Sequence, residues 1–535
     1  MNVAEPSSDA SWRESSTGVD QMTGAEALIS TLIAGGVEVC FTNPGTSEMH
    51  IVAALDRLAK MRCVLGLFEG VVTGAADGYA RMAGKPACTL LHLGPGLANG
   101  LANLHNASRA RVPIINIVGQ HASHHLRLDS PLKSDIEAVA RPWSKWLRTT
   151  WAAADTGRDA VAAILASRTA PQGIATLIVP ADAAWSDGGA AATVGPISPA
   201  LAPSAAAVER AAVMLRSGLP TALLLAGSGL FGPGLAVAGR IAAGTGAKLL
   251  APYPFARMER GAGRSVVDRI PYVPEQAADL LKGFRQLILA GTEPPISYFA
   301  YPGRSSVLAP EDCVVHTLSE PSEDCAATLI ALADALSLTG TPPLTESPGR
   351  PALPDGSITP PGLAATVAAL LPEDAIVVDE SMTSGRGIMA AARGGPHHDW
   401  LANTGGSIGI ALPLAVGAAV ACPSRRVLCL TADGSGMYTL QALWTIARES
   451  LNVTTVVFAN RSYAVLKREF LGLGAGQPGP VASDLFDIGS PPLDWVSLAK
   501  GTGLSGTRAD SLSAFARALQ AGFESDGPTL IEVSL

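Results

Sequence analysis

Asp433, Gly434, Ser435 and Gly436 follow one residue after a mainly apolar run, residues 426–431, and Asn460 stands directly after a second such run, residues 453–459. A carboxylate and an amide oxygen are hard donors. They suit a divalent cation such as Mg2+, which takes few protein oxygens and fills its octahedron with phosphate oxygens and water. Gly434 and Gly436 let the backbone approach a diphosphate, and the helix start that follows offers free N–H groups and a positive dipole end. Four further apolar runs also end in polar residues. Residues 37–41 lead into Asn43-Pro44-Gly45-Thr46, residues 63–68 end at Glu69, residues 87–91 at His92, and residues 113–118 at Gly119-Gln120.

These positions gain meaning from the elements that carry them. From residue 22 onward, short β-branched or apolar runs alternate with Ala/Leu/Gly segments at helical spacing, the pattern of an α/β fold with parallel sheets covered by helices on both faces. In a parallel sheet all carboxyl ends lie along one edge, where open α/β folds bind ligands, so Thr46, Glu69, His92 and Gln120 are expected around one crevice. Strand 426–431, the Asp433 turn, a helix over 438–450 and strand 453–459 form one βαβ unit, whose right-handed crossover returns Asp433 and Asn460 to the same edge. Two stretches rich in Pro, Gly, Ser and Ala, 187–203 and 339–361, read as linkers. They divide the chain into three α/β domains, 22–186, 204–338 and 362–535, each a mainly parallel sheet flanked by helices. Residues 1–21 are polar, lack the apolar core of a secretory signal, and read as a flexible leader.

Composition narrows the function classes. The 535 residues are 48% hydrophobic, enough for several cores. With 38 basic against 46 acidic side chains the net charge is −8, and no basic block interleaves with aromatics, so no nucleic-acid partner is expected. The longest nearly apolar run, residues 409–422, contains Pro413 and is too short to cross a bilayer, so no membrane span is expected either. The seven cysteines never form C-x-x-C and read as buried thiols of a reducing, cytoplasmic compartment.

Asp433-Gly434-Ser435 followed at this interval by Asn460 resembles the cofactor motif of thiamine diphosphate (ThDP)-dependent enzymes. Leu67-Phe68-Glu69-Gly70 through Ala76-Asp77-Gly78-Tyr79-Ala80-Arg81 resembles that family's catalytic-glutamate helix start, and Gly406-Ser407-Ile408-Gly409 with Leu412-Pro413 its loop under the aminopyrimidine. The likeness runs from about residue 22 to the C-terminus, in the domain order of acetolactate synthase and benzoylformate decarboxylase: pyrimidine-binding, central, diphosphate-binding. It implies a ThDP- and Mg2+-dependent decarboxylase or carboligase acting on a 2-oxo acid. Glu69 would bond the pyrimidine N1′ and favour the tautomer whose 4′-nitrogen deprotonates the thiazolium. The Gly406 carbonyl would accept from the 4′-amino group beside Ser407, and Ile408 would wedge between the rings. Asp433, Asn460 and the Ser462 carbonyl would hold Mg2+. Gly434, Ser435, Glu380, Ser381, Thr383 and Ser384 would cradle the diphosphate, with Tyr463, Ala464 and Val465 bordering the cofactor. His92, Thr46 and Gln120 would act on the substrate. The resemblance further implies a site shared between two subunits, in a homodimer or, more commonly, a homotetramer.

The sequence also departs from the family. Ala432 and Ala459 replace the first Gly of the usual GDG and the first Asn of NN, which keeps open a second reading: a catalytically silent ThDP-binding scaffold or regulatory partner. Phe299 stands where benzoylformate decarboxylase keeps its second histidine, and the stretch after Asn460 lacks the Gln-Trp of acetolactate synthase. Gly227-Ser228-Gly229-Leu230-Phe231-Gly232 fits a dinucleotide fingerprint, and some relatives bind FAD there. No acidic residue ends the next strand, 248–251, so the glycines read as strand–helix packing. His121, His124 and His125 lack matching metal-ligand spacing and read as a solvated loop.

Overall fold

A computed structural model of the chain describes residues 22–535, so the leader expected at 1–21 lies outside the described residues. Three parallel or mainly parallel sheets with helices on their faces build the molecule. The first holds β1 (Val39–Asn43), β2 (Arg62–Leu65), β3 (Ala87–Leu91), β4 (Ile114–Gln120), β5 (Trp146–Thr149) and β6 (Ile174–Pro180), in the order β2-β1-β3-β4-β6-β5 with every pair parallel. β3, β4 and β6 are buried along their whole length, as strands covered on both faces must be. Helix α1 (Glu69–Ala83) follows β2, and α2 (Leu93–Ala110) follows β3.

The middle of the chain contributes β7 (Thr221–Leu225), β8 (Lys248–Ala251), β9 (Arg257–Arg260), β10 (Asp268–Arg269), β11 (Gln286–Ala290) and β12 (Val314–Ser319). Five of these form a parallel sheet, β10-β8-β7-β11-β12. β9 leaves it and pairs antiparallel with the edge of the third sheet. That sheet holds β13 (Ala375–Glu380), β14 (His398–Ala402), β15 (Val427–Ala432), β16 (Val453–Ala459), β17 (Ser505–Ala509) and β18 (Thr529–Ser534), ordered β9-β14-β13-β15-β16-β18-β17. All its pairs except β9·β14 are parallel.

Three local expectations shift. Residues 187–189 are not loop but a short strand paired with Met22–Thr23, and the proline-rich stretch ends at Thr359, whose hydroxyl caps helix Pro360–Leu370. The helix expected over 438–450 is broken into a turn at Asp433–Gly436, a 3-10 turn at Met437–Thr439 and a helix at Ala442–Arg448. The Thr439 hydroxyl donates to the Gly409 carbonyl at 2.8 Å, tying the chain to the 406–409 loop before the helix can begin. Cys63 is exposed rather than buried, whereas Cys40, Cys88, Cys325 and Cys429 are buried.

Two contacts fix the first sheet's helices to the third sheet. Helix α3 (Ala411–Ala421) lies on α1 backbone to backbone: a Cβ on Gly78 would sit 2.1 Å from the Leu414 carbonyl oxygen, and one on Gly417 1.9 Å from that of Ala75. Four residues on from Asp77, Arg81 donates to both of its carboxylate oxygens at 2.7 Å, and its remaining donor reaches the Ala402 carbonyl at 2.7 Å. Burial pushes the Asp77 carboxyl upward against the pull of that guanidinium. Among the described residues, no helix is long and apolar enough to cross a membrane.

Candidate active site

β1 to β4 present their carboxyl ends along one edge, and the first cluster assembles there. Glu69 opens α1 and is buried; its oxygens accept from Asn43 Nδ2 at 3.3 Å and Asn99 Nδ2 at 2.9 Å. His92 is its neighbour: a Cβ on Gly96 would lie 3.3 Å from Glu69 Oε1 and 3.4 Å from the His92 Cβ. His92 Nδ1 lies 2.8 Å from Glu48 Oε2 and 3.4 Å from Ser47 Oγ. Glu48 is completely buried, and also accepts from the Gly45 N–H at 2.8 Å and from Ser47 Oγ at 2.7 Å. Position 45 has to be glycine, because a Cβ there would stand 2.2 Å from His92 Nδ1.

Thr46 is exposed at the rim; in the Thr46–Glu48 turn it is Ser47 and Glu48 that reach the imidazole. Gln120 is buried at the end of β4, where its side-chain oxygen accepts from the His121 N–H at 2.8 Å. His121 is half-buried in the loop after β4, its Nε2 3.2 Å from Ser130 Oγ. Burial first, then the nearby His125 and His92, press its imidazole below the ordinary range.

The second cluster surrounds a cavity of about 970 Å³ between the ends of β13, β15 and β16 and the middle of the chain. Asp433 follows β15 and Asn460 follows β16, adjacent parallel strands in which Ala432 sits opposite Phe458. Asp433 accepts from the N–H groups of Gly434 at 2.9 Å and Arg461 at 2.6 Å, while its burial raises the carboxyl above the usual range. Asn460 accepts from the Ser462 N–H at 3.0 Å, and its amide donates at 3.5 Å to Thr383 Oγ1 and to Ser384 Oγ. Ser435, Ser381, Tyr463, Ala464 and Val465 line the same space, the last two at the start of helix α4 (Ala464–Gly472).

Glu380 ends β13, but its buried carboxyl is engaged: it accepts from the N–H groups of Gly409 at 3.0 Å and Ala411 at 3.1 Å and from Asn403 Nδ2 at 3.3 Å. It therefore holds the loop that carries Gly406 and Ile408, and burial lifts it to about 7. Asn106 and Asn403 both donate to the Ser407 carbonyl at 2.9 Å, and Gly406 takes a positive φ of 80°. A dication and a diphosphate fit this end of the cavity chemically. It supplies a carboxylate and an amide oxygen, bare backbone at Gly434 (where a Cβ would strike the Tyr463 ring at 2.6 Å), and hydroxyl donors on the facing turn.

None of Thr46, Glu69, His92 and Gln120 lines this cavity, so within one chain the two clusters face different spaces. Its far wall consists of the rings of Tyr253, Tyr272 and Tyr298, 5.4 to 6.0 Å apart, which the sequence did not mark as a group, with Phe299, the residue at the second-histidine position, edge-on to Tyr298. The Tyr298 hydroxyl reaches Gly406, where a Cβ would come within 2.4 Å of it. A signal existed, since four of the chain's seven tyrosines (253, 272, 298 and 301) fall in the middle unit. In the Gly227 fingerprint only Gly229 packs closely, where a Cβ would lie 3.2 Å from Cys325 Sγ; Gly227 and Gly232 have open space around them and take positive φ of 52° and 56°.

An acidic crevice on one α/β unit and a hard-oxygen, bare-backbone cradle on another define an α/β enzyme that binds a phosphorylated cofactor. Comparison supplies the family. Residues 22–139 match the family model of the thiamine pyrophosphate enzyme N-terminal TPP binding domain, and residues 385–533 that of the C-terminal TPP binding domain. The chain is 54% identical over 513 residues to the Mycobacterium tuberculosis protein named "Putative acetolactate synthase large subunit IlvX", covering 96% of this chain and 99% of that one. It is 28% identical over 534 residues to benzoylformate decarboxylase of Pseudomonas aeruginosa, covering 93% and 96%. The ThDP-dependent 4-hydroxybenzoylformate decarboxylase of Rhodococcus jostii RHA1 shares the fold, with a TM-score of 0.83 at 24% identity over 96% and 99% of the two chains. The chain belongs to the thiamine diphosphate-dependent enzymes.

Proposed function

We propose that the protein uses ThDP and Mg2+ to decarboxylate a 2-oxo acid, R–CO–COO⁻, releasing CO2 and either protonating the remaining acyl unit to R–CHO or passing it to a second carbonyl. The observation that carries this reading is the pairing of a buried, amide-bonded Glu69 at the start of α1 with the Asp433/Asn460 cradle at the ends of β15 and β16. When bound, the coenzyme supplies the nucleophilic carbon and the sink for the electron pair left by CO2.

The chain's own residues do the rest. Asp433, Asn460 and the Ser462 carbonyl would hold the cation. Ser435, Thr383 and the first amides of α4 would take the diphosphate, and Gly406 and Ile408 would seat the rings. Glu69 would hold and move a proton at the pyrimidine. With Nδ1 engaged by Glu48, His92 keeps Nε2 as its remaining proton site for the substrate carbonyl. Because the two clusters of one chain face different spaces, the complete site would form between two copies, as a homodimer or a tetramer built from dimers.

Calorimetry with ThDP and Mg2+, followed by a CO2-release screen over 2-oxo acids, tests the proposal. Cofactor binding and turnover are expected, and Glu69→Gln should lower turnover by about 100-fold or more. Wild-type rates in E69Q, or cofactor binding with no turnover across the screen, would overturn it.

A further inference from the structure

We infer that the 2-oxo acid this site accepts carries a second anionic group at the far end of its side chain, received by Arg269 and Arg386 beside the tyrosine wall. The inference rests on the decarboxylase reading and names its substrate class. The cavity that begins at Asp433 and Asn460 also extends to Arg260, Arg269 and Arg386. Among the described residues no carboxylate oxygen comes within 4.0 Å of any of these three. The other guanidiniums of the lining are matched: Arg393 lies 2.8 Å from Glu346 and 3.3 Å from Asp268, and Arg468 lies 3.4 Å from Glu469. Arg260 is buried, donates to the Met389 carbonyl at 3.0 Å, and has an Nε with no partner among the described residues. Burial holds its guanidinium down to about 10, the signature of a charge short of compensation. A buried cation with an open donor is costly until an acceptor arrives.

Three carboxylates of the lining are held by their own neighbours. Asp379 accepts from Ser381 N and Oγ at 3.0 and 2.6 Å, Glu380 holds the loop amides, and Glu469 accepts from the Tyr301 hydroxyl at 2.8 Å. None of these three carboxylates lies within 4.0 Å of Arg260, Arg269 or Arg386. Two of the three tyrosine rings already carry guanidiniums: Arg269 sits 5.0 Å over Tyr253 and Arg468 5.7 Å over Tyr272. A carboxylate in this cavity would meet the unmatched guanidiniums with its own planar oxygens, the geometry that arginine recognises best.

The test uses the full-length protein loaded with ThDP and Mg2+. CO2 release from 2-oxoglutarate and 2-oxoadipate is compared with release from pyruvate, 2-oxobutyrate and benzoylformate, and calorimetry compares glutarate binding with butyrate binding. The dicarboxylic acids should lead in kcat/KM by about tenfold or more. Arg269→Gln and the exposed Arg386→Gln should each raise their KM by about tenfold, leave the monocarboxylic acids unchanged, and weaken glutarate alone. A monocarboxylic preference, or equal losses on both classes in R269Q and R386Q, would overturn the inference while leaving the decarboxylase reading intact. Glutarate bound through Arg269 without turnover of any acid would overturn the decarboxylase reading and retain the anion subsite. No turnover together with no glutarate binding would overturn both.

Discussion

A carboxylate shut away from water behind an imidazole decides which ring nitrogen remains free. Glu48 does this for His92, and three donors or partners (Gly45 N–H, Ser47 Oγ and the imidazole) converge on its two oxygens. Glu48→Gln should keep the shape but lower kcat/KM by about tenfold, and in a double-mutant cycle it should add little to the loss in His92→Ala, because Glu48 acts through that ring. Glu380 gives a prediction in pH. Its carboxyl titrates near 7 in the fold and near 4.5 when unfolded, so the folded chain holds that proton more tightly. The stability from this group is full below about pH 4.5 and lost as pH rises through about 7, a change of about 3 kcal/mol. His398, held down to about 4 by burial, works in the opposite sense, losing stability as pH falls from about 6.5. The difference in unfolding free energy between wild type and Glu380→Gln cancels His398, and in chemical denaturation it should decline over pH 4.5 to 7; a flat difference would contradict the assignment.

At the scale of elements, the seam between α1 and α3 depends on glycine. Gly78→Ala would drive a methyl into the Leu414 carbonyl, and Gly417→Ala one into that of Ala75, so each should cost about 3 kcal/mol or more, read as a lowered denaturant midpoint. The strand ends bearing Glu69, His92, Gln120, Asp433 and Asn460 were legible in the sequence because an apolar run followed by one polar residue is a local pattern. Glu48 was not: a glutamate two residues beyond Thr46 in a turn reads like an ordinary helix start, and only the long-range approach of His92 makes it a buried partner. The tyrosine wall was hidden for the same reason, its members being gathered from separate segments. β9 was equally opaque, since its short Arg-Met-Glu-Arg run does not say which sheet takes it. The Asp433 helix was misplaced because the Thr439–Gly409 bond, which delays it, joins residues far apart in the chain.

For the whole molecule, the proposed division of the site between two copies is tested by a mixing experiment. Chains carrying Glu69→Gln and chains carrying Asp433→Asn should each be inactive; co-refolded, they form mixed dimers in which one site has both native residues. About a quarter of wild-type activity should return if pairing is random. No recovery, with mixed dimers confirmed by mass, would place both residues in one chain's own site. The Gly78–Gly417 contact has one more consequence. Two main chains in direct touch leave no side chain to rearrange, so these positions are closed to variation and lock the catalytic frame. The aromatic and basic positions 253, 269, 272, 298, 299 and 386 border open space instead. New specificities can therefore be bred by exchanging that lining while the architecture beneath it stays untouched.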